Sequence, residues 1–386
     1  MLSGSLYAVW YAASRAERTT ILIGPQTTLL LIAVLILISG RSLGARRACA
    51  AGVCLGAAAA IQVWAIVPVV VVAAGILLGW LGVPGDRRRA AVGLLAGASA
   101  ALAAFCLPFF VAAPGQFVRY VLIDQLSRPS LDIGLLTRLR VLEGFSEAGG
   151  KSLPATAGVM ALGIVGLIAL VVVARRLPIA RIWCALVIVE TGYLLYAPNF
   201  FSHYSGWVAP AFAVVLGTAA SMAIGAVERS RRLVTVARAG AVGLVAVMAL
   251  AVPRQQGTVI QWTALEADIR DARCVSADDP ELLIETSGLQ RDLRDGCPIV
   301  VDPTGTSYET DRGRLAPGPV SKSRLAAPGY QFTMEEWYDD SNAAMFARRA
   351  ADGLDAATQE EIADELPLVV PHGNVTVMLP GSQPLP

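Results

Sequence analysis

Glu190 is the one acid inside a long apolar run, Ile182–Tyr196. An ionisable group at membrane depth is costly, so it should face the bundle interior or a wet cavity and have a partner. It either orients a substrate or catalytic group, or hydrogen-bonds a neighbouring helix and fixes packing. The loop that follows, Asn199-Phe200-Phe201-Ser202-His203-Tyr204, holds the only histidine before residue 253. A histidine there can pair with phosphate or relay a proton near neutral pH, and Asn199 and Tyr204 add polar groups beside it; a merely solvated side chain is the alternative. Arg15, Arg18, Arg119, Arg128, Arg138 and Arg140 lie in the same class of loop. Guanidinium groups kept there suit an anionic headgroup such as a lipid phosphate, or else pair with acids of their own loops. Asp124 and Arg128 are four apart in Leu107–Pro129, so they share one helix face, with Val118, Leu122 and Leu126 opposite. That pattern describes an interfacial helix, whose charged side either holds a substrate headgroup or forms a solvated ion pair.

Other chemistries lack their residues. The sequence holds no Ser-His-Asp set, no His/Cys metal spacing, no Walker loop and no closely paired carboxylates before residue 253. No metal and no cofactor is therefore expected. Cys49, Cys54, Cys106 and Cys184 fall in or beside apolar runs and read as packing residues. Cys274 and Cys297 form a disulfide candidate if their part of the chain lies outside the cytoplasm.

The elements that must position these groups follow from composition. The 386 residues are 55% hydrophobic with mean hydropathy +0.58, which argues against a water-soluble globule. A net charge of +1 carries no signal for nucleic acid. Acids are sparse up to Pro253 and dense afterwards, where no long apolar run remains. The sequence thus predicts an all-α polytopic membrane helix bundle over 1–252 and a small α/β soluble domain over 253–386. Ile21–Ile38, Cys49–Val63, Ala65–Leu81, Ala90–Phe110, Ala155–Ala174, Ile182–Tyr196, Trp207–Ala226 and Leu233–Val252 read as about eight full spans, and Leu2–Ala13 as a stub.

Basic clusters at Arg41–Arg47, Arg87–Arg89, Arg175–Arg181 and Arg229–Arg238 alternate along the spans, which places all four on the cytoplasmic side. Ser14–Arg18, Gln62–Trp64, Ala113–Leu153, Asn199–Ser205 and the tail are then outside, on one working face of an inner-membrane protein. Trp64 and Trp207 read as interface anchors. In the tail, Arg273–Ala277 and Pro298–Asp302 are strand candidates flanking a helix over Pro280–Leu293, as in a βαβ unit. Parallel neighbours would bring Cys274 and Cys297 together. Met334–Asp364 reads as mostly helical and Val375–Leu379 as a last strand.

Ala16-Glu17-Arg18-Thr19 before a span, Gly52–Trp64 (GVCLGAAAAIQVW), Leu107–Pro129 and Phe201–Pro210 (FSHYSGWVAP) resemble the GT-C glycosyltransferases. The likeness is to the polyprenyl-phosphate-sugar-dependent mannosyl- and arabinosyl-transferase-like membrane proteins of actinobacteria, and covers most of Met1–Val252. It implies an inverting hexosyl- or pentosyltransferase. Its partners would be a polyprenyl-phosphate-linked sugar donor, a glycan or lipid acceptor, and membrane lipids. It implies donor contacts from Arg15, Glu17, Arg18, Gln62, Arg119, Asp124 and Arg128, with Glu190, Asn199, His203 and Tyr204 setting cavity polarity. Two departures stand out. The family's catalytic Asp or Glu lies in a first outer loop that this chain lacks, so an N-terminally incomplete enzyme is expected. Many relatives carry Lys where Gln62 stands. The missing acid leaves a second expectation, a non-catalytic membrane protein such as a lipid-carrier transporter or an envelope-assembly scaffold.

Overall fold

The structure, a computed structural model, describes residues 2–9, 22–123, 133–143, 153–197, 200–226, 235–236, 239, 242–243, 260–300, 328–347 and 354–381. The chain forms two compact units, Met1–Val121 with Ile133–Arg254 and Leu122–Asp132 with Gln255–Pro386.

The first unit is helical: α1 (Leu2–Val9), α2 (Ile23–Ile38), α3 (Ala45–Ile61), α4 (Ile66–Leu77), α5 (Arg87–Ala112), a short α6 (Pro114–Val118), α7 (Leu135–Leu142), α8 (Leu153–Arg176), α9 (Ala180–Tyr196) and α10 (Ser205–Ala226). The inward faces of α2 to α5 and α8 to α10 share one core that includes Leu30, Leu37, Leu55, Val72, Leu94, Leu170, Ile182, Leu186 and Val215.

Among the described residues, two helices are long and apolar enough to cross a membrane, α5 and α10. Of the eight full spans expected, these two meet that test among the described residues. Four of the other apolar runs fold into shorter pieces: α2 has 16 residues, α3 and α9 have 17 each, and α4 has 12. Ala155–Ala174 lies within α8, which has 24 residues. Sixteen residues rise about 24 Å, short of the ~30 Å hydrocarbon core. Polar and turn residues cut the runs. Gln62 takes an extended conformation (φ −146°, ψ 126°) and starts a 3-10 turn over Val63–Ala65, which separates α3 from α4 where the sequence predicts the break. Leu233–Val252 lies almost wholly outside the described residues. The outward face is strongly apolar: Val92, Phe105, Phe109 and Val111 are 58–70% exposed.

The helices α3 and α5 touch through glycine. A Cβ on Gly52 or Gly56 would stand 2.0 Å and 2.3 Å from the carbonyl oxygens of Leu94 and Ala98, and one on Gly93 or Gly97 2.6 Å and 2.1 Å from those of Ala45 and Cys49. Numbers rise together on both helices, so the pair runs parallel and its N-termini share one end. Backbone contacts join the loops there. Leu43 N–H donates to the Pro84 carbonyl at 2.8 Å, and Gly82 approaches Pro178. Three expected basic clusters, Arg41–Arg47, Arg87–Arg89 and Arg175–Arg181, therefore gather at one end of the bundle. The fourth lies almost wholly outside the described residues.

The expected polar loop Ala113–Leu153 contains α7, which sequence reading missed. Its apolar residues Val141 and Leu142 are buried.

The second unit holds α11 (Trp262–Asp268), β1 (Val275–Ala277), α12 (Pro280–Glu285), α13 (Gly288–Asp295), α14 (Pro328–Asp339), β2 (Ala343–Ala347), α15 (Ala356–Glu365), β3 (Leu368–His372) and β4 (Val375–Leu379). The sheet order is β1-β2-β4-β3, with β1 parallel to β2 and the other pairs antiparallel. The parallel partner of β1 is Ala343–Ala347, not the expected Pro298–Asp302. Pro298–Val300 has no strand pairing and the rest of that run lies outside the described residues. The expected helix Pro280–Leu293 splits at Ser287, which sits at φ 57°. Gly373 (φ 64°) opens the two-residue turn between β3 and β4. Leu265, Ile269, Val275, Met334, Trp337, Met345 and Val377 fill the core.

Cys274 and Cys297 are disulfide-bonded with Cα atoms 5.7 Å apart. The route differs from the parallel-strand argument. Asp292 of α13 accepts from the Val275 N–H at 3.0 Å, and Cys297 N–H donates to the Asp292 carbonyl at 2.9 Å, so the end of α13 is tied to the start of β1.

Candidate functional site

The end of the bundle opposite the basic loops carries an aromatic cluster. Trp64, in the turn after Gln62, has its ring 4.8 Å from Tyr204 and 6.4 Å from Trp207. Tyr193 meets Trp207 edge-on at 5.9 Å. His203 stacks on Phe201 at 5.6 Å and meets Tyr204 at 4.7 Å. A 3-10 turn over Ser202–Tyr204 leads directly into α10 and sets this geometry. Ile23, Val141, Leu142, Leu194, Phe200 and Val208 pack beneath it. Trp207 is only 2% exposed, so it is a core residue and not the expected interface anchor.

Several buried polar side chains stand on the elements that contribute to that cluster. Glu190 is fully buried, and neither carboxyl oxygen has a hydrogen-bond partner among the described residues. The same holds for both amide atoms of Gln26, for Thr27 Oγ1, Thr191 Oγ1, Gln62 Oε1 and Trp207 Nε1. These residues lie close to members of one cluster along their helices. Gln26 is three after Ile23 on α2, Glu190 four before Leu194 on α9, and Gln62 two before Trp64. Side chains three or four apart share a helix face. Buried polar atoms are normally hydrogen-bonded, and a group of orphans around one cluster suits a polar ligand or ordered water. Sequence reading identified Glu190 and Gln62. Gln26 and Thr27 were visible as a polar break in Ile21–Ile38, but absorbed into the span.

Arg138 is not a headgroup ligand. It is 7% exposed. Its Nε donates to the Ile133 carbonyl at 3.0 Å, and Nη1 to those of Leu194, Leu195 and Ala197 at 3.1, 3.2 and 2.6 Å. The guanidinium also stands 5.4 Å from the Phe200 ring centroid. Arg138 thus binds the last turn of α9, whose carbonyls lack helical partners.

Of the other expected residues, Arg119 is exposed at the start of a π turn, Arg119–Ile123, that follows α6. In Leu107–Pro129 the sequence predicts a span closing near Phe110, a turn and then a short helix. In the structure α5 runs through Pro108 to Ala112, Ala113 interrupts the chain, α6 and the π turn follow to Ile123, and the rest lies outside the described residues. Arg15, Glu17, Arg18, Asp124, Arg128 and Asn199 lie outside the described residues.

Glu143 follows α7 with Oε2 buried and unpartnered among the described residues. Its Oε1 lies 3.1 Å from where a Cβ on Gly163 would stand, so that glycine leaves room for the carboxyl group. Burial pushes this carboxyl up from 4.5 to about 7. An acid raised on folding binds its proton in the native chain while the unfolded chain has lost it. Glu143's contribution to stability is therefore greatest below about pH 4.5 and falls as pH rises towards about 7. Glu143→Gln should flatten that slope in thermal unfolding of the detergent-solubilised chain; an unchanged slope would remove Glu143 as its cause.

Comparison with protein-family models, with characterised proteins and with solved structures finds no match to this chain.

Proposed function

We propose that the chain is a multi-pass membrane glycosyltransferase of GT-C type that takes a sugar from a polyprenyl-phosphate donor at the aromatic end of its bundle. The observation that carries this reading is the fully buried Glu190, whose carboxyl oxygens, like the Gln26 amide, Gln62 Oε1 and Trp207 Nε1, lack hydrogen-bond partners among the described residues, on elements that also contribute to the aromatic cluster and the core beneath it. Aromatic faces with polar tips suit a ligand with apolar and hydroxyl surfaces. The reaction would be displacement at the anomeric carbon by an acceptor hydroxyl, with inversion. The hydroxyl proton needs a carboxylate base; the resemblance gives that role to a first-outer-loop Asp or Glu, which none of the named residues supplies. Arg15, Arg18, Arg119 and Arg128 are the candidates to stabilise the departing lipid phosphate. Glu190 acts as a positioning residue, and His203 and Tyr204 set polarity at the rim.

A second reading, a lipid-carrier transporter or envelope-assembly scaffold without transferase activity, is favoured by one feature: Glu190 is 0% exposed and so is closed to an acceptor. Labelled polyprenyl-phosphate sugar in proteoliposomes separates the two. Label arriving on a glycan or lipid acceptor supports the transferase, while lipid crossing the bilayer with its sugar still attached overturns it.

The reading places the aromatic end and the tail outside the cytoplasm of an inner membrane. The Cys274–Cys297 bond supports this, because such bonds persist in oxidising compartments. Thiol labelling of intact cells should reach both cysteines only after reduction under denaturing conditions that leave the inner membrane intact. Labelling that needs the inner membrane to be breached would invert the topology.

A further inference from the structure

At the basic end, opposite the aromatic rim, a groove of about 580 Å³ is lined by Ala45, Arg88, Arg89, Val92, Gly93 and Ala96. Its volume falls within the ~300–1,000 Å³ of small-molecule clefts. Its walls differ in character. Val92 is 66% exposed and, with Ala96, forms an apolar side that continues down α5, one of the two helices able to cross a membrane. Arg88 and Arg89 form the other side.

The arginines of this end divide into two kinds. The Arg47 guanidinium lies against Gly40 and that of Arg87 against Gly79, each filling space that a side chain would otherwise occupy. Both pack on their own loops. Arg88 and Arg89 line the groove instead. Arg89 Nε is 3.3 Å from Asp86, whose carboxylate also caps α5 by accepting from the Arg89 N–H at 3.1 Å. Arg88 has no ion-pair partner among the described residues. Two cations against one acid leave the groove mouth at +1. The approach of Gly93 to the Ala45 carbonyl closes the floor between α3 and α5.

We infer that this groove binds an anionic phospholipid of the membrane leaflet at the basic end, its phosphate between Arg88 and Arg89 and one acyl chain along Val92 and Ala96. A lipid without net charge would leave the +1 of the groove mouth uncompensated. A free phosphate would leave the apolar wall uncovered. The inference rests on α5 crossing a membrane and is independent of any sugar-transfer activity.

The full chain, reconstituted in bilayers of equal phosphatidylglycerol and phosphatidylcholine and extracted in mild detergent, is read by native mass spectrometry for retained lipid. The wild type should retain phosphatidylglycerol preferentially. Removing Arg88 and Arg89 by substitution with Gln should weaken that retention about fivefold for each arginine, since a basic side chain near an anionic surface contributes ~1 kcal/mol. Arg88→Glu should abolish the preference. Arg175→Gln with Arg176→Gln removes two exposed charges from the same end outside the groove and should leave retention unchanged. Equal loss in that control, or wild-type retention in the groove variants, would overturn the site. Displacement of the lipid by millimolar inorganic phosphate would overturn the choice of a lipid. Stable bilayer insertion with equal retention of both lipids would reject this proposal alone, whereas failure to insert would reject the membrane reading as well.

Discussion

Replacing Arg138 with methionine should lower the stability of the helical unit by roughly 4 kcal/mol, the loss of several hydrogen bonds from a charged donor at ~1.5–3 kcal/mol each, offset in part by the desolvation of the guanidinium. Methionine has similar reach and keeps most of the packing, so the loss is that of the hydrogen bonds. Four carbonyl oxygens, those of Ile133, Leu194, Leu195 and Ala197, accept from the guanidinium at 2.6–3.2 Å. Three belong to the last turn of α9 and the residue after it, so the variant leaves buried acceptors without donors, at ~1–3 kcal/mol for each unsatisfied group. Arg138→Lys should recover only part of the loss, because an ammonium group cannot reproduce the planar fork. Chemical unfolding in detergent gives the comparison. A cost below ~1 kcal/mol for the methionine variant would mean that water replaces the guanidinium and that α7 is not fastened to α9 through this residue.

Gly52→Val should be similarly damaging, by about 3 kcal/mol or more. Its Cβ would stand 2.0 Å from the Leu94 carbonyl oxygen, a backbone atom that cannot swing aside. Relief requires α3 and α5 to separate, and their seam continues through Gly56, Gly93 and Gly97. Small residues that permit this approach are a common basis of helix association in membranes. Gly166→Ala gives the opposite case. Nothing lies within 4 Å of the added Cβ on α8, so the gain in helix propensity should dominate, at up to ~1 kcal/mol of stabilisation. Equal thermal shifts for the two variants would show that close approach at the seam is not what holds α3 to α5.

The features legible in the sequence were those written in local pattern. The Gln62–Trp64 break follows from a polar residue inside an apolar stretch, and the basic clusters mark one end because arginines interrupt every second turn. Val375–Leu379 (VTVML) is rich in strand-forming residues and pairs as β4. Features set by tertiary context were missed. Ala343–Ala347 has no β-branched residue, yet forms β2 at the centre of the sheet because β1 and β4 flank it. Leu368–His372 contains Pro371, which weakens a strand reading, and survives because β3 lies at the edge of the described sheet. Arg138 looked like one more loop arginine, since its value comes from carbonyls 56 to 59 residues away. Trp207 has the sequence context of an interface anchor, but Trp64 and Tyr193 enclose it. Hydropathy counts apolar residues without seeing where a helix ends, so Ala65–Leu81 reads as a span although its helix α4 has only 12 residues.

The two ends of the bundle differ in chemistry, aromatic and polar at one, basic at the other, and the functional proposal depends on which one receives the donor. A photoreactive polyprenyl-phosphate sugar, with its diazirine on the sugar, addresses this directly when cross-linked to the full chain in proteoliposomes and mapped by peptide mass spectrometry. The account predicts labelling of peptides that contain Gln62–Trp64 or Phe200–Trp207, competed by unlabelled donor and weakened in Trp64→Ala. Competable labelling confined to the Arg88–Arg89 end, or none at either end, would contradict it.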